Sequence, residues 1–471
     1  MPNINSSRTR SCHRTRTCGN VLRVLVIAIP SAWAVVVNAQ TELSLLELAA
    51  GHVAIAEDSK TSSMLWGRIG GTEAERQSAR LLVDQLRPYV DEAGVEAFSF
   101  NAHRPRWWRV EIGAGSALES AMPAPFDAKF PEGPIKAMIV QIKNEADWDA
   151  VGGKWAFLRA TMKGSAARTN VRTQLLYQRA VKAGAAGFIF ALPTPPGLWQ
   201  TVVPVDKPFA KFDTFFEDGV RPIPAFCVDT DDGTRIEAVI GLDATLTAAL
   251  THELDVPRRA LNTVATLHGP PLGKEVVIAA HLDSFFTGAH DDASGLAVMV
   301  GLAKELSELG TDERKADFLF LGLSGHHDAG AGMRAFIADD PYRISGSHMI
   351  LLEHLDAQFG NDSDQRWPKI LNDSRAAYVG PNPRPALEAV LPKLVTETGL
   401  MTRAPNVVHA CIADLFVVCD QVIPFTLIQS APYYHTNHDT MDKLSEQGLR
   451  NAVEFHMRLL EELGAITRET H

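Results

Sequence analysis

Four short stretches of the sequence bring imidazoles and carboxylates to places where they could act together. His281 and Asp283 close the apolar run EVVIAAHL, and Asp291-Asp292 follow ten residues after His281. Asp356 ends SHMILLEHLD, and His435 lies in YYHTNHDT, just after PFTLIQ. Singly, each is commonplace: a histidine at a strand end is usually a satisfied polar residue, and paired aspartates before a helix usually cap it. Jointly they form a set of nitrogen and oxygen ligands suited to a pair of zinc ions, one carboxylate bridging metals that in such sites lie roughly 3.5–4 Å apart. At strand spacing, Asp283 would face the same way as His281 and could orient its ring.

The elements around these residues supply the geometry such a site needs. After Pro257 the sequence alternates unbroken apolar runs (EVVIAAHL, ADFLFLGLSG, SHMILLEHLD, PFTLIQ) with helical segments ASGLAVMVGLAKELSEL, 328–338, 384–398 and 445–464. Strands without a polar face imply a mostly parallel mixed sheet covered by helices on both sides, an α/β fold. In such sheets functional groups collect beyond the carboxyl ends of the strands, where the candidates fall. Upstream, an amphipathic helix opens at TEAERQSARLLVDQLRPYVDEAG, with Thr72 placed as N-cap and Glu75 three residues on. Residues 134–250 read as short strands and one helix, a smaller β-rich unit.

HLDSFFTGAHDDASGLA resembles the signature of the co-catalytic zinc aminopeptidases and glutamate-carboxypeptidase-like proteins. LNTVATLHG, RIGGTEAER and HTNHDTMDKL resemble further segments of that family, and the likeness extends over nearly the whole chain from residue 40. The resemblance implies a zinc peptidase-like domain over 40–119 and 251–471, with 120–250 similar to the protease-associated (PA) domain inserted in secreted members. It implies two zinc ions, one remaining an alternative, with His281 and Asp356 on one, His435 on the other, Asp291 bridging and Asp283 orienting His281. Tyr434 could donate a hydrogen bond to a developing oxyanion, or simply pack.

At one position the sequence departs from the family. Where the family carries a Glu-Glu pair, general base then zinc ligand, this chain reads GLSGHHDAGAGM, which puts His326 and His327 in those places. A neutral imidazole binds zinc well, so His327 is expected as a ligand, and His326 as the group that moves the proton. The exchange removes negative charge from the site, and a histidine base gains charge beside cations where a glutamate would lose it. Altered hydrolysis of peptide or related amide bonds is one expectation; a homologue that binds without catalysing is the other.

The N-terminus reads separately. Arg8, Arg10, Arg14 and Arg16 precede VLRVLVIAIPSAWAVVV, and Val37-Asn38-Ala39 offers small residues for cleavage, so 1–39 is expected to be an export signal that leaves no membrane span behind. Losing its five arginines takes the formal charge from −11 to −16, an acidic chain with no electrostatic footprint for nucleic acid. Apolar residues at 46 % and charged residues at 21 % are globular proportions. Of the cysteines beyond 39, Cys227, Cys411 and Cys419, the last two could bridge in an oxidising compartment, though buried thiols are the plainer expectation.

Overall fold

The computed structural model describes residues 43–60, 65–123, 133–160, 175–192, 223–242, 244–270, 275–356, 375–429, 431 and 433–468. The expected export signal lies outside them. No described helix is long and apolar enough to cross a membrane.

Strands β1 (Glu92–Ile112) through β7 (β2 Ser116–Ala117, β3 Met122–Pro123, β4 Ile135–Gln141, β5 Trp155–Arg159, β6 Gly187–Ala191, β7 Ala225–Val228) precede the long β8 (Thr245–Leu267). β9 (Glu275–His281), β10 (Asp317–Leu323), β11 (His348–Leu351), β12 (Arg375–Tyr378), β13 (Asn406–Val408) and β14 (Ile423–Gln429) follow. All belong to one 14-stranded mixed sheet, ordered β13-β12-β14-β11-β9-β10-β8-β4-β5-β6-β7-β3, with β1 paired along β8. β14, β11, β9 and β10 run parallel, so four carboxyl ends open on one edge of the sheet.

Period-2 alternation decides what covers each face. Val276, Ile278, Ala280, Phe318, Phe320, Ile350 and Phe425 point into a core shared with helices Leu45–Asp58, Glu73–Leu86, Ser294–Glu308, Pro385–Glu397 and Glu446–Glu462. Val277, Ala279, Leu319, Leu321, Leu323, Met349 and Leu351 point the other way, against helix Ala331–Phe336 and the turn Ala413–Val418. The expected α/β sheet with helices on both faces is therefore present.

Three expectations needed adjustment. The helix opening at Thr72 stops at Leu86, because Pro88 turns the chain into a 3₁₀ segment, and β1 begins at Glu92. Thr72 does cap the helix, accepting from Glu75 N. Glu75 does not complete a capping box: its buried carboxylate accepts from Gly71 N (2.5 Å) and Gly325 N (2.8 Å). Cys411 and Cys419 form a disulfide rather than two thiols, closing the Ala413–Val418 turn, while Cys227 is free and buried.

Candidate metal centre

His281 is the last residue of β9, and Leu323 of β10 lies directly beside it in the ladder. Past Leu323 the chain turns through His326 and His327, and this turn is tightly pinned. Asn262 accepts from Ser324 N (3.0 Å) and donates to Gly332 O (2.9 Å). A Cβ on Gly332 would lie 2.4 Å from Ser324 O, so only glycine fits there. On the other side, Leu351 pairs with Ala279, which sets Glu353 two residues further on, level with His281.

Asp291 is the hub. Its Oδ1 lies 3.0 Å from both His281 Nε2 and His354 Nε2, and its Oδ2 lies 3.1 Å from His435 Nε2. His327 Nε2 stands 3.0 Å from His435 Nε2 and 4.0 Å from Asp291 Oδ2. Two groups of ligand atoms thus converge on opposite oxygens of one carboxylate. Asp291, His327 and His435 make one of them, and His281, Glu353 and His354 the other. All these residues are buried.

The supports of Asp291 are equally buried. Asp439 accepts from His290 N (2.8 Å) and Asp291 N (3.0 Å). Asp292 accepts from the amides of His281, Gly295 and His354, tying three loops together. Arg68, fully buried, donates to the carbonyls of Leu282, His52, Thr287 and Gly288 and so fixes the loop after β9.

Of the residues singled out in the sequence, His281, Asp291, His327 and His435 come together. Asp283 is close by but does not orient His281 with its carboxylate. His281 Nδ1 instead meets the Asp283 backbone oxygen at 2.8 Å, because the strand ends at His281 and strand alternation ends with it. The Asp283 carboxylate accepts from His326 N (2.9 Å) and His327 N (3.0 Å) and holds His327 Nδ1 at 2.7 Å. Tyr434 stacks on His435 with ring centroids 3.6 Å apart.

Asp356 does not join the cluster. Residues His354 and Asp356 take positive φ, and the turned chain delivers the Asp356 carboxylate to Ser445 N (2.7 Å) and Ser445 Oγ (3.0 Å), at the start of helix Glu446–Glu462. It lies 1.7 Å from where a Cβ on Gly448 would be. Glu353 occupies the position expected for Asp356. The signal that could have found it was strand length: a strand ending at Leu351 leaves Glu353, not Asp356, level with His281.

His326 sits differently from its neighbour. Its ring stacks on His281 at 4.0 Å with an interplanar angle of 10°. Its Nδ1 lies 2.7 Å from Asp414 Oδ2, and its Nε2 lies 3.5 Å from Glu353 Oε1.

Charge explains the titration pattern. Burial alone would lower His326, but Asp414, Glu353 and Asp283 raise it to about 10. Burial is likewise overcome at His354, raised to about 9 chiefly by Asp291. At His327 burial wins over Asp283 and lowers the ring to about 4, leaving it neutral and free to ligate. Burial would raise Asp291, yet His354, His281 and His435 hold it well below the usual carboxylate range. The Tyr434 phenol is pushed well above its ordinary range by burial, then by Asp291 and Glu353, so it remains a donor.

The residues fit a pair of divalent cations. Glu353 Oε2 is buried with no hydrogen-bond partner among the described residues, and Asp283, Asp291, Asp292 and Asp439 are buried together in the field of the Arg68 guanidinium. Carboxylates so placed call for cations.

Residues 262–459 match the model of peptidase family M28. The match spans the part of the chain that carries the candidate centre, from β8 into helix Glu446–Glu462. Among solved structures it is similar to a peptidase M28 precursor from Shewanella amazonensis SB2B, at 18 % identity over 91 % of this chain and 96 % of that one, with a TM-score of 0.67. A zinc aminopeptidase from Bacillus subtilis aligns at 16 % identity over 90 % and 95 % of the two chains, TM-score 0.62. An aminopeptidase from Aneurinibacillus sp. strain AM-1 aligns at 18 % over 88 % and 93 %, TM-score 0.56. At these identities the likeness speaks for the fold. No curated protein matches the chain.

Proposed function

We propose that the chain is an exported zinc-dependent hydrolase of the exopeptidase type, cleaving peptide or related amide bonds with His326 and His327 in place of a glutamate pair. One observation carries this reading: the two oxygens of Asp291 face separate histidine sets at 3.0–3.1 Å, as a bridging ligand must. His281, Glu353 and His354 would hold one ion, His327 and His435 the other. Bound there, the ions would act as Lewis acids on the scissile carbonyl and lower the pKa of water in the site. His326 moves the proton, Asp283 fixes the His327 ring, and the Tyr434 hydroxyl donates to the developing oxyanion.

Export is supported by the basic and apolar pattern of residues 1–39 and by the Cys411–Cys419 bond, which suits an oxidising compartment. Residues 120–250 would form a PA-type insert. Its support is the parallel run β4-β5-β6-β7, which carries a core of its own around Tyr177, Phe188 and Phe190.

The replacement of the glutamate pair favours a second reading, a homologue that binds peptides without cutting them. Wild type and His326→Glu/His327→Glu, assayed on aminoacyl anilides, separate the two. Turnover by the wild type is expected. A silent wild type alongside an active double variant would overturn the hydrolase in favour of the binding protein.

A further inference from the structure

A cavity of about 580 Å³ opens at the other end of the sheet from the ligand cluster. His348 and Ile423, the first residues of the parallel strands β11 and β14, lie in its wall, so the carboxyl ends that carry the candidate centre face away from it. Its volume falls within the ~300–1,000 Å³ usual for small-molecule sites. Val379, Leu387 and Val422 line it from the hydrophobic core, with Val390 and Leu463 nearer the surface, so its walls are apolar and firmly backed. Two charged side chains, Arg384 and Glu462, interrupt that lining. Arg384 is half-buried at the amino end of helix Pro385–Glu397; its guanidinium donates to Pro424 O (3.2 Å) and meets no carboxylate among the described residues. Burial, with no anion to answer it, lowers its pKa. Glu388 turns its carboxylate instead to Arg384 N (2.7 Å) and His409 Nε2 (3.0 Å). Glu462 is exposed at the carboxyl end of helix Glu446–Glu462, where the terminal carbonyls already favour a cation, and it forms no ion pair among the described residues.

We infer that this cavity binds a free α-amino acid with an apolar side chain. The ligand's carboxylate is met by the Arg384 guanidinium and by the amides of a helix start that no side chain caps. Its ammonium is met by Glu462 and by the last carbonyls of the helix that Glu462 ends. Opposite charges that line one cavity without pairing to each other suit the two ends of a zwitterion, and the apolar wall takes the side chain out of water. A fatty acid would leave Glu462 without a partner, and a simple amine would leave Arg384 without one. Such an amino acid is what an exopeptidase releases, yet the inference stands on the cavity and not on the hydrolase reading.

The test uses the full chain supplied with zinc and saturated with acetohydroxamate, a metal-binding group with neither an ammonium nor a carboxylate, which keeps leucine from the candidate centre. Calorimetric titration with leucine is expected to show one molecule bound per chain. Arg384→Gln and Glu462→Gln should each weaken that binding roughly tenfold, the scale of one hydrogen bond to a charged group. Leucinamide, which lacks the carboxylate, and 4-methylpentanoate, which lacks the ammonium, should bind the wild type more weakly than leucine by a similar factor. No detectable binding of leucine overturns the proposal, as does an affinity unchanged in either variant. 4-Methylpentanoate binding as tightly as leucine overturns it in favour of a fatty-acid site. The comparison of ligands needs no variant to fold, and no arm depends on turnover, so a chain that cleaves no anilide leaves the test intact.

Discussion

At the scale of single residues, Glu353 and Asp356 sit three positions apart and do different work. Glu353 is buried beside His281 with an oxygen that has no partner among the described residues, whereas Asp356 holds the first turn of helix Glu446–Glu462. Glu353→Ala is therefore expected to remove about one zinc per chain, measured by elemental analysis. Asp356→Ala should leave the zinc content unchanged and cost about 1 kcal/mol of stability, measured by denaturant titration, as loss of a helix cap does. Equal zinc loss in both would place the ligand wrongly. His281, Asp291 and His435 were legible because residue type and spacing specify them, but the choice between two acids in LLEHLD depends on where β11 ends and on turns of positive φ, which apolar periodicity does not mark. Asp414 was illegible for another reason: it is 88 residues from His326, and no local pattern links them.

At the scale of elements, the turn Ala413–Val418 and its disulfide fix one side of the site. Cys411→Ser/Cys419→Ser is expected to cost about 2–3 kcal/mol, the loop-closure value for a bridge of this span. The loss would be read from denaturation of oxidised wild type against the variant; identical midpoints would mean the bridge does not form. The strands and helices after Pro257 were readable because each is a continuous apolar run or a strong helical repeat. Helix Ala331–Phe336 came out shorter than 328–338 because Asp328 is drawn out of the helix to pair with Arg104, and Gly330 takes positive φ. The long β1 was not readable, since its 21 residues mix tryptophan, arginine and proline with no sustained alternation.

At the scale of the whole folded unit, that β1 strand matters, because it pairs with β8 along most of its length and carries Arg104 to the rim of the site. Arg104 binds Asp328, next to His327, through two hydrogen bonds of 2.7 and 2.8 Å. Arg104→Ala would leave Asp328 unpaired in a largely dry setting. It is expected to cost about 3 kcal/mol, the low end for breaking a buried pair, and Arg104→Ala/Asp328→Ala should recover part of it in the same denaturation assay. The crowded carboxylates of the centre make a related demand on the fold, since cations that bind only the folded chain stabilise it by mass action. The binuclear centre is tested by the zinc content of the purified full-length chain, measured together with its melting temperature before and after chelation. Two zinc ions per chain are expected, with a fall in Tm on their removal that added zinc reverses. A chain that holds no zinc, and melts at the same temperature with and without it, would contradict a binuclear centre.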